Sequence, residues 1–190
     1  MNVKISDIAN LPTSFGMFKV QVFEEEYKDH FVLFNEPLGE VVNVRIHSEC
    51  ITGDTMGSLK CDCGQQLHMS LKYIAKHGGM VLYLRQEGRN IGLLNKINAY
   101  ALQDKGLNTI EANNQLGFKA DERTYEIVDL ILKHFNIDKI NLLTNNPDKL
   151  KGLKRVKIKD RIPIEITPNE FNKEYLRVKK EQMGHMLNEV

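Results

Sequence analysis

The spacing of the apolar residues changes character partway along this chain, and that change limits the folds open to it. Up to residue 46 the spacing is that of strands. Phe18-Lys-Val-Gln-Val-Phe alternates in places, Asp29-His-Phe-Val-Leu-Phe is a short apolar run, and Val41-Val-Asn-Val-Arg-Ile follows. From residue 64 the spacing turns helical, with Leu67, Leu71 and Ile74 in register and Gly78-Gly79 as a stop. Met80-Val-Leu-Tyr-Leu then reads as a strand. Asn90 to Lys105 is predicted as a helix closed by Gly106, with Leu93, Ile97 and Tyr100 sharing one face. A third helix is predicted from Asp121 to Phe135, with Ile127, Leu130 and Ile131 as its buried stripe. Ile140-Asn-Leu-Leu-Thr is a strand running into the turn cluster Asn145-Asn-Pro-Asp, and the polar residues after Glu170 are predicted helical. A β-rich N-terminal part followed by alternating helices and strands is an α/β (mixed α+β) pattern. We expect a single compact domain, β-rich over 1–60, α/β over 61–170, with a polar tail over 171–190.

Length supports that expectation, since a domain of 190 residues buries about 70% of its unfolded surface and needs no staples. An apolar fraction of 42% and a charged fraction of 27% exclude a disordered, collagenous or disulfide-dense chain. A net charge of +1 argues against a main task of gripping nucleic acid by its phosphates. There is no apolar run of membrane-spanning length, and the start lacks the basic and apolar regions of a secretory signal. A cytoplasmic protein without membrane or nucleic-acid partners is expected.

All three cysteines, Cys50, Cys61 and Cys63, fall within fourteen residues. Three thiolates suit Zn²⁺ and leave one position of a tetrahedron open. Two other readings remain: three small buried apolar side chains, or a structural site closed by His47 as a fourth ligand. The remaining histidines (His30, His68, His77, His134 and His185) are expected at surface or helix positions without a role. Arg85-Gln-Glu-Gly-Arg-Asn-Ile-Gly lies between a strand and a helix, where two arginines and two glycines suit phosphate or simply turn the chain. Asp121 is a candidate N-cap of the third helix. Thr144 and Lys149 follow a strand end, placed for a ligand or for a turn. The six basic residues between Lys149 and Lys159 read as a solvated face, for no aromatic residues interleave them.

Several strings together resemble GTP cyclohydrolase II in its stand-alone form. They are Arg45-Ile-His-Ser-Glu-Cys-Ile-Thr-Gly-Asp, Ser58-Leu-Lys-Cys-Asp-Cys-Gly, Arg85-Gln-Glu-Gly-Arg-Asn-Ile-Gly-Leu and Ala99-Tyr-Ala-Leu-Gln-Asp, then Glu111-Ala-Asn-Asn-Gln-Leu-Gly, Ala120-Asp-Glu-Arg and Leu142-Leu-Thr-Asn-Asn-Pro. The resemblance implies a hydrolase that opens the guanine imidazole ring of GTP at C8 with loss of formate. It further implies release of pyrophosphate, giving a diaminopyrimidinone ribosyl 5′-phosphate for riboflavin biosynthesis. Cys50, Cys61 and Cys63 would hold a catalytic Zn²⁺, Mg²⁺ would accompany the triphosphate, and the enzyme would be a homodimer. GTP contacts would fall on Arg45, Ile46, His47, Ser48, Glu49, Gln66, Glu87, Gly88, Arg89, Thr109, Thr144 and Lys149. Among them, Glu87 would accept from the guanine N1 and N2 donors, and Arg45, Arg89 and Lys149 would face phosphates. Tyr100 would lie near C8, Asp121 would be the proton acceptor, and Arg123 a nucleophile or a stabiliser of phosphate charge. Asn114 lies where relatives that stop at the formamidopyrimidine stage differ, so that outcome is one alternative. A zinc-stabilised nucleotide-binding module without turnover is the other.

Overall fold

A computed structural model describes residues 2–119 and 121–190, so Ala120 of the string Ala120-Asp-Glu-Arg lies outside the described residues. Five strands come first: β1 (Val3–Ile5), β2 (Ala9–Thr13), β3 (Gly16–Glu25), β4 (Lys28–Asn35) and β5 (Val42–Ser48). Helices α1 (Ile51–Asp54) and α2 (Cys63–His77) precede β6 (Gly79–Leu84). Three helices follow, α3 (Gly92–Gln103), α4 (Thr109–Gln115) and α5 (Glu126–His134). The order ends β7 (Lys139–Leu143), α6 (Pro147–Gly152), β8 (Lys157–Ile162) and α7 (Lys173–Met183). This is the mixed α/β class expected from the sequence.

One eight-stranded sheet runs β1-β3-β4-β6-β5-β7-β8, with β2 paired to β3. β1, β2 and β4 each pair antiparallel with β3, and β4 pairs antiparallel with β6; short turns join β2 to β3 and β3 to β4. The β5–β7 and β7–β8 pairs are parallel, and the long connections that parallel pairing requires are supplied by helix-containing segments.

The chain organises into two compact units, each assembled from three stretches. The first comprises residues up to His47, Gln66–Arg85 and Thr124–Ile164. Both faces of its sheet are covered. On β4, Val32 and Phe34 join Ile127, Val128, Ile131 and Leu132 of α5 in one core, while Leu33 joins Leu71 and Ile74 of α2 in another. On β6, Met80, Leu82 and Leu84 take the first side and Val81 the second, the period-two alternation of a strand. The second unit comprises Ser48–Gln65, Gln86–Arg123 and Glu165–Val190, and holds α1, α3, α4 and α7. Among the described residues, no helix is long and apolar enough to cross a membrane.

The structure differs from the sequence expectations in several places. Helix α5 begins at Glu126, not Asp121. Asp121 caps no helix; its carboxylate accepts from the amide of Arg123 at 3.0 Å, a local turn that competes with helix. Leu130 is only half-buried, and Val128 and Leu132 complete the stripe instead. On α3 the buried residues are Lys96 and Ala99, whereas Leu94 is 75% and Ile97 46% exposed. His30 is not a surface position; it is buried in β4, where its Nδ1 accepts from the amide of Arg85 at 3.0 Å. The basic run is divided between α6 and the last strand of the sheet, and its first member, Lys149, is buried.

Candidate functional site

The chain between Cys50 and Cys63 folds back on itself, and two glycines permit it. A Cβ on Gly53 would stand 2.8 Å from Cys61 Sγ and 3.1 Å from Cys50 Sγ, and one on Gly64 would meet Gly53 O at 2.2 Å. Bare backbone at both positions lets α1 and the start of α2 close around the sulfurs. The three Sγ atoms lie within 4.8 Å of one another, with no further His, Cys, Asp or Glu in the group among the described residues. Cys50 Sγ and Cys61 Sγ are 3.7 Å apart. Sulfurs bound to a tetrahedral zinc at about 2.3 Å stand about 3.8 Å apart, so the spacing fits the metal and is far too long for a disulfide. His47 is not a member of this group, which leaves the set at three ligands.

The sulfurs share charge unequally. Hydrogen bonds from Cys61 and Cys63, with help from Lys96, hold the Cys50 thiol far below the ordinary range against its burial. Its bond to Cys50 pushes Cys61 up to about 11, and Cys63 is raised by its two sulfur neighbours and by burial. A divalent cation held by all three sulfurs would displace the thiol protons that remain.

Around the sulfurs the second unit gathers further polar groups. Glu87, buried at 7% exposure, accepts from the amides of Ile51 at 2.6 Å and Gly88 at 2.8 Å, and from Lys96 Nζ at 2.8 Å. Burial works to strip the Lys96 proton, but Glu87 and the Cys50 sulfur overcome it and hold the ammonium above its usual value. Burial pushes the Tyr100 phenol up to about 12, against the opposing pull of Lys96 and Thr52. Gly88, Arg89 and Asn90 all lie in the left-handed region, with φ of 61°, 59° and 74°. Two non-glycine residues there are strained, a cost borne where the surroundings fix the turn. Part of that fixing is the amide of Glu122, which donates to Arg89 O at 3.2 Å and so brings Asp121 and Arg123 beside the 87–90 turn. Asp121 accepts twice from Arg123 Nε, at 2.9 and 3.1 Å, and again from Nη2; Nη1 donates to Ser48 Oγ at 3.3 Å. Burial opposes the Asp121 charge, yet Arg123 holds its carboxyl below the usual carboxylate range. Thr109 opens α4, whose N-cap Asn108 forms a capping box with Glu111.

In the first unit another set of expected residues meets. Arg45 donates to Leu143 O at 3.1 Å and to Gln66 Oε1 at 2.7 Å. Lys149 donates to Ile46 O at 2.7 Å, and Thr144 Oγ1 accepts from the amide of Asn146 at 3.0 Å. His47 stacks on Tyr83 with centroids 5.3 Å apart. Glu49, which belongs to the second unit, is half-buried.

Two residues at the sulfur loop were not anticipated. One is Lys96, whose signal was that it is the lone charged residue of its helix. The other is Asp62, between two cysteines, which accepts from Lys179 Nζ of α7 at 2.8 Å.

A sequence model described as GTP cyclohydrolase II matches residues 4–163. Similar chains called GTP cyclohydrolase-2 extend over the full length. That of Campylobacter hominis is 67% identical over 189 residues, covering 100% of this chain and 98% of its own. That of Campylobacter fetus is 69% identical over 192 residues with the same coverage, and that of Helicobacter pylori strain P12 is 51% identical over 189 residues, covering 97% and 98%.

Proposed function

The chain belongs to the GTP cyclohydrolase II family, and from that premise we propose that it opens the imidazole ring of GTP at C8 in riboflavin biosynthesis, with Cys50, Cys61 and Cys63 holding a catalytic zinc. The observation that carries this reading is the group of three sulfurs within 4.8 Å, with no fourth protein ligand among the described residues. A structural site would be closed, whereas a catalytic one keeps a position for substrate. When bound, zinc supplies a Lewis acid that makes hydroxide available at neutral pH.

The chain's own residues do the rest. Tyr100, with its phenol pushed up to about 12, stays protonated and orients or passes a proton at C8. Glu87, which among the described residues accepts from Ile51, Gly88 and Lys96, is the proposed acceptor of the guanine N1 and N2 donors. Loss of formate and of pyrophosphate completes the proposed reaction, with Mg²⁺ on the triphosphate. Asp121 and Arg123 serve the phosphoryl step. Pairing with Asp121 stabilises the charged guanidinium, which favours Arg123 as a stabiliser of phosphate charge over a nucleophile. Arg45, Ile46, His47, Ser48, Glu49, Gln66, Gly88, Arg89, Thr109, Thr144 and Lys149 are the remaining proposed GTP contacts. Exposed Leu93, Leu94 and Ile97 on α3 support a homodimer.

Incubation of the purified protein with GTP, Zn²⁺ and Mg²⁺ tests the reading. Formate and pyrophosphate are expected in equal amounts. A formamide product without free formate would assign the ring-opening step alone, and bound but unconverted GTP would assign a binding module.

A further inference from the structure

Helix α3 offers Leu93, Leu94 and Ile97 for burial, yet it buries Lys96 at 8% exposure and leaves those three outside. Lysine is almost never buried unless paired, so this choice has to be offset by specific partners. The partners are present. The ammonium carries three protons, and three acceptors surround it: Cys50 Sγ at 3.1 Å, Thr52 Oγ1 at 2.9 Å and Glu87 Oε1 at 2.8 Å. The same Glu87 takes the amide of Ile51, the residue that follows Cys50, on its other oxygen.

We propose that Lys96 is a positioning residue of the metal centre, donating an N–H···S hydrogen bond to the Cys50 thiolate and, through Glu87, fixing the backbone on which that ligand sits. The proposal rests on the reading that the three sulfurs hold zinc. A hydrogen bond to a ligand sulfur stabilises its lone pairs and tunes the metal, and loss of such outer partners weakens metal binding about 10- to 100-fold. Thr52 and Glu87 both hold the ammonium, at 2.9 and 2.8 Å, which fixes it beside the sulfur.

The test uses the full chain with Co²⁺ in place of Zn²⁺, read by its sulfur-to-cobalt charge-transfer band, together with zinc affinity from chelator competition. Wild type shows the band. In Lys96→Met it moves to lower energy, because the Cys50 lone pair is no longer stabilised, and zinc affinity falls about 10-fold or more. Lys96→Arg, which keeps charge and donors, returns the band to near the wild-type position. Should the Met variant not fold by circular dichroism, Lys96→Gln carries the same test, its weaker neutral donor giving a smaller shift in the same direction. A folded Met or Gln variant with unchanged band and affinity overturns the role of Lys96 while leaving the metal site standing. A wild type without any thiolate band overturns the metal reading and this proposal together.

Discussion

Arg123 and Asp121 hold each other through contacts to Nε and Nη2, so the guanidinium proposed to meet a phosphate is fixed before any ligand arrives. Lysine at position 123 keeps the charge but loses that planar geometry. Arg123→Lys is therefore expected to slow pyrophosphate release about 100-fold, with formate release less affected; separate assays of the two products check this. Asp121 yields a pH signature of its own. Its folded-state pKa lies below the ordinary value of about 3.9. The stability it contributes is fully present above that value and is lost as pH falls through the folded one. Between pH 6 and pH 3, wild type should lose more stability than Asp121→Asn, measured by urea unfolding at both pH values. Equal losses would remove the carboxylate from the account.

At the scale of elements, α7 matters because it pins the loop that carries two of the three sulfurs. Lys179 and Asp62 form a buried pair, and Lys179 also lies over the Tyr175 ring at 4.6 Å. Removing one partner leaves the other charge buried alone. Lys179→Met is expected to cost about 3 kcal/mol and to weaken zinc binding, as read by thermal unfolding and chelator competition. Adding Asp62→Asn should recover part of both losses. Which elements were legible in the sequence follows from the same physics. Helix α2 was readable because Leu71 and Ile74 are spaced for one apolar face and are buried as spaced. On α3 the spacing of Leu93 and Ile97 gave no sign of which side faced inward, since that depends on Glu87 in the preceding turn and on acceptors at Cys50 and Thr52 far away in sequence. Strand β8 was hidden by Lys157, Lys159 and Asp160, charges of the kind that protect the outermost strand of a sheet. The cluster of three sulfurs was legible because its chemistry is carried by the residue type itself. The partners of those sulfurs were not, because lysine and aspartate are ordinary surface residues until a fold buries them.

For the whole molecule, the separation into two units predicts what metal removal does. The sheet and both of its apolar cores belong to the unit that contains no cysteine. Chelation is expected to abolish turnover while far-ultraviolet circular dichroism is largely kept, with slow amide exchange persisting in β3, β4, β6 and β7. Zn²⁺ should restore activity. Collapse of the sheet on chelation would instead make the metal a structural requirement of the fold.

The Lys179–Asp62 pair spans 117 positions, and on a ribosome that separation becomes an interval of time. Domains take shape from the N-terminal side as the chain is made. The sheet unit is complete once Ile164 has emerged, whereas the second unit still needs Glu165–Val190. Through that interval the nascent polypeptide carries all three thiols on a loop without its clasp. With the three sulfurs holding zinc as proposed, loading with metal is expected to be a late event, and the growing chain is expected to be most open to oxidants or competing metals just before α7 arrives.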